Sequence, residues 1–220
     1  MRCSTLDELC ERSDCILILA PSNPEKHLQY ARQVLKYRKR TYIDKTFAPD
    51  CKTAERIFSI GSECHTPFFS TSALRYASEL DALKGNVEKA IITGGGRSFE
   101  EYLIHMVEMA VVLFPQAAFD RVKSERIGAQ RLIRMQCADG KEAALIYSPS
   151  YGYTIAAEFP GGKTSFVSVT SAFFLDLIKS ILRFFETGAH PFEPRETLEV
   201  MRVRDAILLS EKQPDEWLAL

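Results

Sequence analysis

The sequence predicts an α/β chain in two parts: a partial doubly wound parallel sheet, then an α+β domain with an open, mostly antiparallel sheet. Three observations predict it. Cys15 to Ala20 is an unbroken apolar run closed by Pro21, as a strand covered on both faces should be. Short strand-like and helix-like stretches then alternate as far as Leu83. From Ala118 to Val169 the pattern changes to runs of alternating apolar and polar residues, separated by turn signals.

Each element has its own reason. Thr5 to Arg12 reads as a short helix, with Ser4 or Thr5 as cap and Asp7 and Glu8 in its first turn. Pro24 opens a second helix to about Tyr37, with Leu28, Ala31, Val34 and Leu35 at helical spacing. Thr41-Tyr42-Ile43 is a strand, Cys51 to Glu63 a helix, and Thr66 to Thr71 leads into a third strand. Val87 to Thr93 is a strand ending in Gly94-Gly95-Gly96, and Ser98 caps a helix that Pro115 stops. Arg131 to Met135, Ala143 to Tyr147, Tyr153 to Phe159 and Ser165 to Val169 form an antiparallel meander, punctuated by Asp139-Gly140 and Pro160-Gly161-Gly162. Two helices follow, at about Ser171 to Thr187 and Arg195 to Leu209. Phe173, Phe174, Leu177, Ile178, Ile181, Leu182 and Phe185 form a broad apolar face on the first of them, expected to pack on the sheet. The domain boundary is expected at residues 83/84.

Composition narrows the function classes. With 46% hydrophobic and 26% charged residues the chain is an ordinary globular protein. A net charge of −1 provides no field to draw nucleic acid or an anionic membrane. The one basic run, Lys36 to Arg40, reads as a solvated helix end. The six cysteines make no Cys-x-x-Cys pair and no zinc spacing, so no metal site is expected. Scattered thiols and an N-terminus without an apolar signal core point to the cytoplasm.

Three places could carry chemistry. Pro21, Asn23 and His27 follow a buried strand; Asp44-Lys45-Thr46 ends the next one, where ligands of such sheets gather. Glu101, His105 and Glu108 are spaced four and three residues apart and share a helical face. Carboxylates beside an imidazole orient it for proton transfer. Taken singly, each has an ordinary explanation: a capped turn, a surface lysine, a core histidine.

Taken together they resemble the Gfo/Idh/MocA oxidoreductases. Asp44-Lys45-Thr46 is similar to that family's Glu-Lys-Pro, and Pro21, Asn23 and His27 to its Pro-Asn-x-x-His, stretched by one residue. Glu101 and His105 resemble its catalytic Asp-x-x-x-His, and Phe69-Ser70 to Arg75-Tyr76 and the segment from Phe184 to Pro191 also match. The resemblance implies a truncated Rossmann-like, nucleotide-binding domain at 1–83 and a substrate-binding and dimerisation domain at 84–220. It implies an NAD- or NADP-dependent dehydrogenase of a sugar or polyol. In that reading Lys45 holds the substrate hydroxyl, His105 takes its proton and Glu101 binds a second hydroxyl. Pro21, Asn23, His27, Lys45 and Arg75 would lie on the cofactor side.

The departures shape the expectation. No Gly-x-Gly-x-x-Gly precedes Cys15, and Gly94-Gly95-Gly96 continues as Arg97-Ser98-Phe99 without the third glycine of a phosphate turn. Cofactor binding is therefore expected to be weak or absent. Lys45 and His105 are expected to face one small polyol, and a homo-oligomer is expected through the open sheet. The alternative is a non-catalytic binding or oligomerisation protein derived from such a dehydrogenase.

Overall fold

The computed structural model describes every residue except Met1, Pro21, Ser22, Gly85, Asn86, Gln116 and Ala117. The chain divides into two units, each built from two segments: Met1–Ser72 with Leu177–Met201, and Ala73–Asp176 with Arg202–Leu220. The sequence reading has one boundary near 83. The two units divide the chain between Ser72 and Ala73 and again within the two long C-terminal helices.

In the first unit a parallel sheet runs in the order β1 (Cys15–Ile18), β2 (Arg40–Ile43), β3 (Phe68–Phe69). Helix α1 (Leu6–Arg12) is capped by Thr5, whose hydroxyl accepts from the Glu8 amide. Helix α2 (His27–Val34) follows a 3-10 turn at Pro24–Lys26, and α3 (Cys51–Glu63) is capped by Asp50. Phe69 packs edge-on against Phe184, with ring centroids 4.9 Å apart. The basic run is spent on structure: Lys36 pairs with Asp7, and Arg40 donates to the carbonyls of Phe185 and Glu186. Those carbonyls end helix α6 (Phe173–Thr187), where a cation offsets the helix dipole.

The second unit holds a seven-stranded sheet in the order β10-β5-β6-β7-β4-β8-β9. Its strands are β4 (Lys89–Gly94), β5 (Phe119–Ile127), β6 (Gln130–Cys137), β7 (Glu142–Tyr147), β8 (Thr154–Glu158), β9 (Thr164–Ser168) and β10 (Leu218–Ala219). The expected meander is broken at one point: β4 lies between β7 and β8, parallel to the first and antiparallel to the second. The segment joining β7 to β8 therefore crosses the end of β4 rather than turning tightly. Ser148 donates to the Gly94 carbonyl on the way.

Helix α5 (Phe99–Leu113) packs on one face of this sheet, with Leu103, Met106, Val107 and Ala110 at 2% exposure or less. Leu103, Met106 and Val107 each contribute about 1.5–3 kcal/mol on burial, and the Ala110 methyl less. A short helix α4 (Ser78–Asp81) precedes it, and α7 (Pro194–Ser210) closes the unit, joining Ser210 to Ser124 hydroxyl to hydroxyl at 2.5 Å. The other face is open: Ile91 is 47% and Phe166 69% exposed, beside a groove of about 550 Å³ lined also by Ala144, Ala156 and Arg134.

The apolar face expected on α6 is narrower than the sequence suggests. Leu177, Ile181 and Phe184 are buried, whereas Phe174, Ile178 and Leu182 are half-exposed or more. From Leu177 onward the helix belongs with the parallel sheet, not with the antiparallel one. Among the described residues no helix is long and apolar enough to cross a membrane.

Candidate functional site

In the second unit the site is built where three strands meet. Because β4 and β7 are parallel, their carboxyl ends reach the same edge, and antiparallel β8 begins there. Gly94-Gly95-Gly96 leads from β4 into α5, and residues 148–153 wrap over it. The Tyr147 hydroxyl donates to the Gly96 carbonyl at 2.7 Å, and the Tyr153 hydroxyl to the Gly95 carbonyl at 3.2 Å. Burial pushes both phenols above the ordinary tyrosine range, which keeps them protonated as donors. Thr93 adds a third tie, its hydroxyl donating to the Gly152 carbonyl at 2.7 Å.

Two of the glycines are sterically required. A Cβ at Gly95 would collide with the Ser148 carbonyl and lie 2.7 Å from the Tyr151 carbonyl; at Gly96 it would enter the Tyr102 ring. The turn is filled by the protein's own backbone and aromatics.

His105 lies on the second turn of α5, half-buried between two tyrosines. Its ring centroid is 5.6 Å from that of Tyr102 and 6.0 Å from that of Tyr153, both edge-on. Glu101, one turn earlier, is 3.6 Å from the mostly exposed Arg97 guanidinium, a solvated pair that restrains it only weakly. Glu108 shares the helical face but is turned inward: its carboxylate is 2.5 Å from Arg75 Nε, the two side chains being 4% and 8% exposed. The two glutamates therefore have different environments.

In the first unit Lys45 is half-buried at the carboxyl end of β2. Before it, the Asp44 amide donates to the Ile18 carbonyl of β1 at 3.0 Å. After it, across a cis Lys45–Thr46 peptide, Thr46, Phe47 and Ala48 are buried. Tyr42, beneath, donates to the Thr71 carbonyl at 3.1 Å.

The proposed cofactor-side residues are scattered in role. Asn23 is exposed on the turn after β1, and Pro21 lies outside the described residues. His27 is fully buried, its Nδ1 2.9 Å from the Phe47 carbonyl. Arg75 is the buried partner of Glu108. Tyr102, Tyr147 and Tyr153 were not singled out by sequence reasoning. The signal was present in the aromatic density of Tyr147-Ser-Pro-Ser-Tyr-Gly-Tyr153, a connection where plain turn residues would suffice.

Comparison with solved structures identifies the architecture. A protein from Thermotoga maritima described as a probable dehydrogenase superposes with a TM-score of 0.82 at 13% identity, covering 98% of this chain and 83% of its own. GenD2 from gentamicin A biosynthesis, solved in complex with NAD, gives 0.81 at 12% identity, covering 99% and 82%. The scyllo-inositol dehydrogenase from Lactobacillus casei, with bound NAD(H) and scyllo-inositol, gives 0.76 at 14%, covering 98% and 83%. The chain has the fold of these dehydrogenases. No protein-family model and no curated protein sequence matches it. At these identities it is the shared fold, not the sequence, that links the chain to these enzymes.

The glycine turn after β4 leaves no space for a pyrophosphate against its backbone. The glycine turn has its Gly95 and Gly96 carbonyls bonded to tyrosines and no room at Gly95. His27 and Arg75 are buried and engaged. Lys45, at the carboxyl end of β2, is a cation of the kind that can hold an oxygen.

Proposed function

We propose that this chain is of the Gfo/Idh/MocA type and acts on a hydroxyl of a sugar or polyol, with NAD or NADP as a weakly held cofactor. The observation that carries the proposal is His105, with Glu101 one turn before it, on the helix that follows β4 in a fold shared with an inositol dehydrogenase. In this reading Lys45 holds the reacting hydroxyl oxygen, His105 takes its proton, and Glu101 accepts a hydrogen bond from a second hydroxyl. When bound, the nicotinamide supplies a hydride acceptor. In this reading the first domain lies on the dinucleotide side and the second carries substrate.

Titration calorimetry with NAD and NADP, and turnover of scyllo-inositol and myo-inositol with either, test this. Weak or absent cofactor heat is expected, together with inositol binding that His105→Asn and Lys45→Met abolish. Micromolar affinity for either cofactor overturns the weak-binding half. Inositol binding indifferent to both substitutions overturns the site. A derived, non-catalytic binding protein is the second reading, favoured by the filled glycine turn; it retains polyol binding without turnover.

The open face of the seven-stranded sheet, with Ile91 and Phe166 exposed around its groove, supports a homo-oligomer in which a second copy covers it. Light scattering tests this, and a monomer at micromolar concentration refutes it.

A further inference from the structure

His27 is the first residue of α2 and is fully buried. Its Nδ1 is 2.9 Å from the Phe47 carbonyl oxygen. A carbonyl can only accept, so Nδ1 carries the hydrogen and Nε2 of the neutral ring is left as an acceptor. Among the described residues, Nε2 is buried with no hydrogen-bond partner. An unmet buried acceptor is costly, so what favours an imidazole here is the bond its other nitrogen makes.

What Nδ1 holds is the segment that carries Lys45. Phe47 is two residues beyond that lysine, its ring against Phe58 and Phe68 with centroids 5.4 and 6.1 Å away. Thr46, Phe47 and Ala48 are 5%, 2% and 0% exposed, so the chain dives into the core directly after Lys45. On the other side, the Asp44 amide is tied to the Ile18 carbonyl. Lys45 thus sits between two backbone anchors, one from the sheet and one from His27.

We propose that His27 is a positioning residue that fixes the backbone from which Lys45 projects, and touches no ligand itself. Its functional meaning rests on Lys45 belonging to the site. The geometry distinguishes substitutes. The amide nitrogen of asparagine stands where His Nδ1 stands, whereas that of glutamine stands where Nε2 stands. His27→Asn should keep the bond to Phe47; His27→Gln and His27→Leu should lose it.

The test reads Lys45 directly, without cofactor or turnover. Lysines of the full chain are reductively methylated with ¹³C, and the Lys45 signal is assigned with Lys45→Arg. In the parent and in His27→Asn the signal should keep its own distinct shift. In His27→Gln and His27→Leu it should collapse into the signals of solvent-exposed lysines, with circular dichroism unchanged. An unmoved Lys45 signal in His27→Leu, or one equally lost in His27→Asn, overturns the proposal. If the variants fail to fold, ¹⁵N spectra of the parent imidazoles decide it: the Nδ1–H tautomer is required at His27, and an Nε2–H tautomer overturns the anchor. Failure of the site reading has a different signature. Lys45→Met would then leave inositol binding unchanged while the Lys45 signal still answers to His27, which removes the functional meaning but not the anchor.

Discussion

Removing Glu108 should be among the most damaging single changes in the second unit. Its carboxylate meets Arg75 Nε at 2.5 Å, the side chains being 4% and 8% exposed, so neither charge has water to fall back on. Deleting one partner of such a pair costs about 3–5 kcal/mol, mostly from the stranded charge. For a chain of this size each kcal/mol lowers Tm by roughly 2–4 °C, so Glu108→Ala should lower it by about 6–20 °C. Glu108→Gln should fall between the parent and Glu108→Ala, since the amide oxygen still accepts. Replacing both partners, as Arg75→Met with Glu108→Leu, should recover most of the loss, because the desolvation cost disappears along with the attraction. Thermal melts followed by circular dichroism, with urea midpoints as a check, measure all four proteins. A Glu108→Ala midpoint within 2 °C of the parent, or a double variant no better than the single, would refute the reasoning. The pair joins the 3-10 turn Ala73–Tyr76 to α5 three residues after His105, so the loss should also loosen the histidine.

Glu79 offers a pH test: burial raises its carboxyl, but donors led by the Ser171 hydroxyl and the Thr170 amide outweigh that and hold it at about 2, below the ordinary 4.5. Its stabilisation is complete above pH 4.5 and lost as pH falls through about 2, so Glu79→Gln should flatten the acid limb of urea midpoints measured between pH 7 and pH 2. Gly95→Ala should destabilise by about 1–3 kcal/mol and increase protease cleavage within 148–153, because its Cβ meets backbone that cannot step aside. Tyr153→Phe, losing only the hydroxyl bond to the Gly95 carbonyl, should cost about 1 kcal/mol in the same urea assay. Trp217, the single tryptophan, lies between Arg121 and Arg134, which lines the open groove; its emission should shift to the red on dilution if a second copy covers that face.

The elements were legible where local periodicity is strong. Cys51 to Glu63 and the four later strands follow from alternation and caps, because those segments bury one face in a regular way. What sequence could not carry was pairing at a distance. Nothing local says that β4 inserts between β7 and β8, or that Leu218–Ala219 adds a strand beside β5. Glu101, His105 and Glu108 were read as one face, but spacing cannot tell which carboxylate has a buried arginine waiting. The family resemblance puts His27 on the cofactor side, yet its ring is bonded to the carbonyl of Phe47, twenty residues on, which no helical or strand period connects to it.

The interleaving of the two units sets the order in which they can form. The segment Ala73–Asp176 is contiguous and can begin to fold as it leaves the ribosome. The earlier residues cannot finish first: Phe69 awaits Phe184, and Arg40 awaits the Phe185 carbonyl. Bringing those ends together across a loop of roughly a hundred residues costs on the order of 4 kcal/mol of chain entropy while that loop is slack. Once Ala73–Asp176 has condensed, much of that cost has already been met. The later part of the chain thus acts as a template for completing the earlier part, and a ribosome stalled before Leu177 would display three strands without their closing helix.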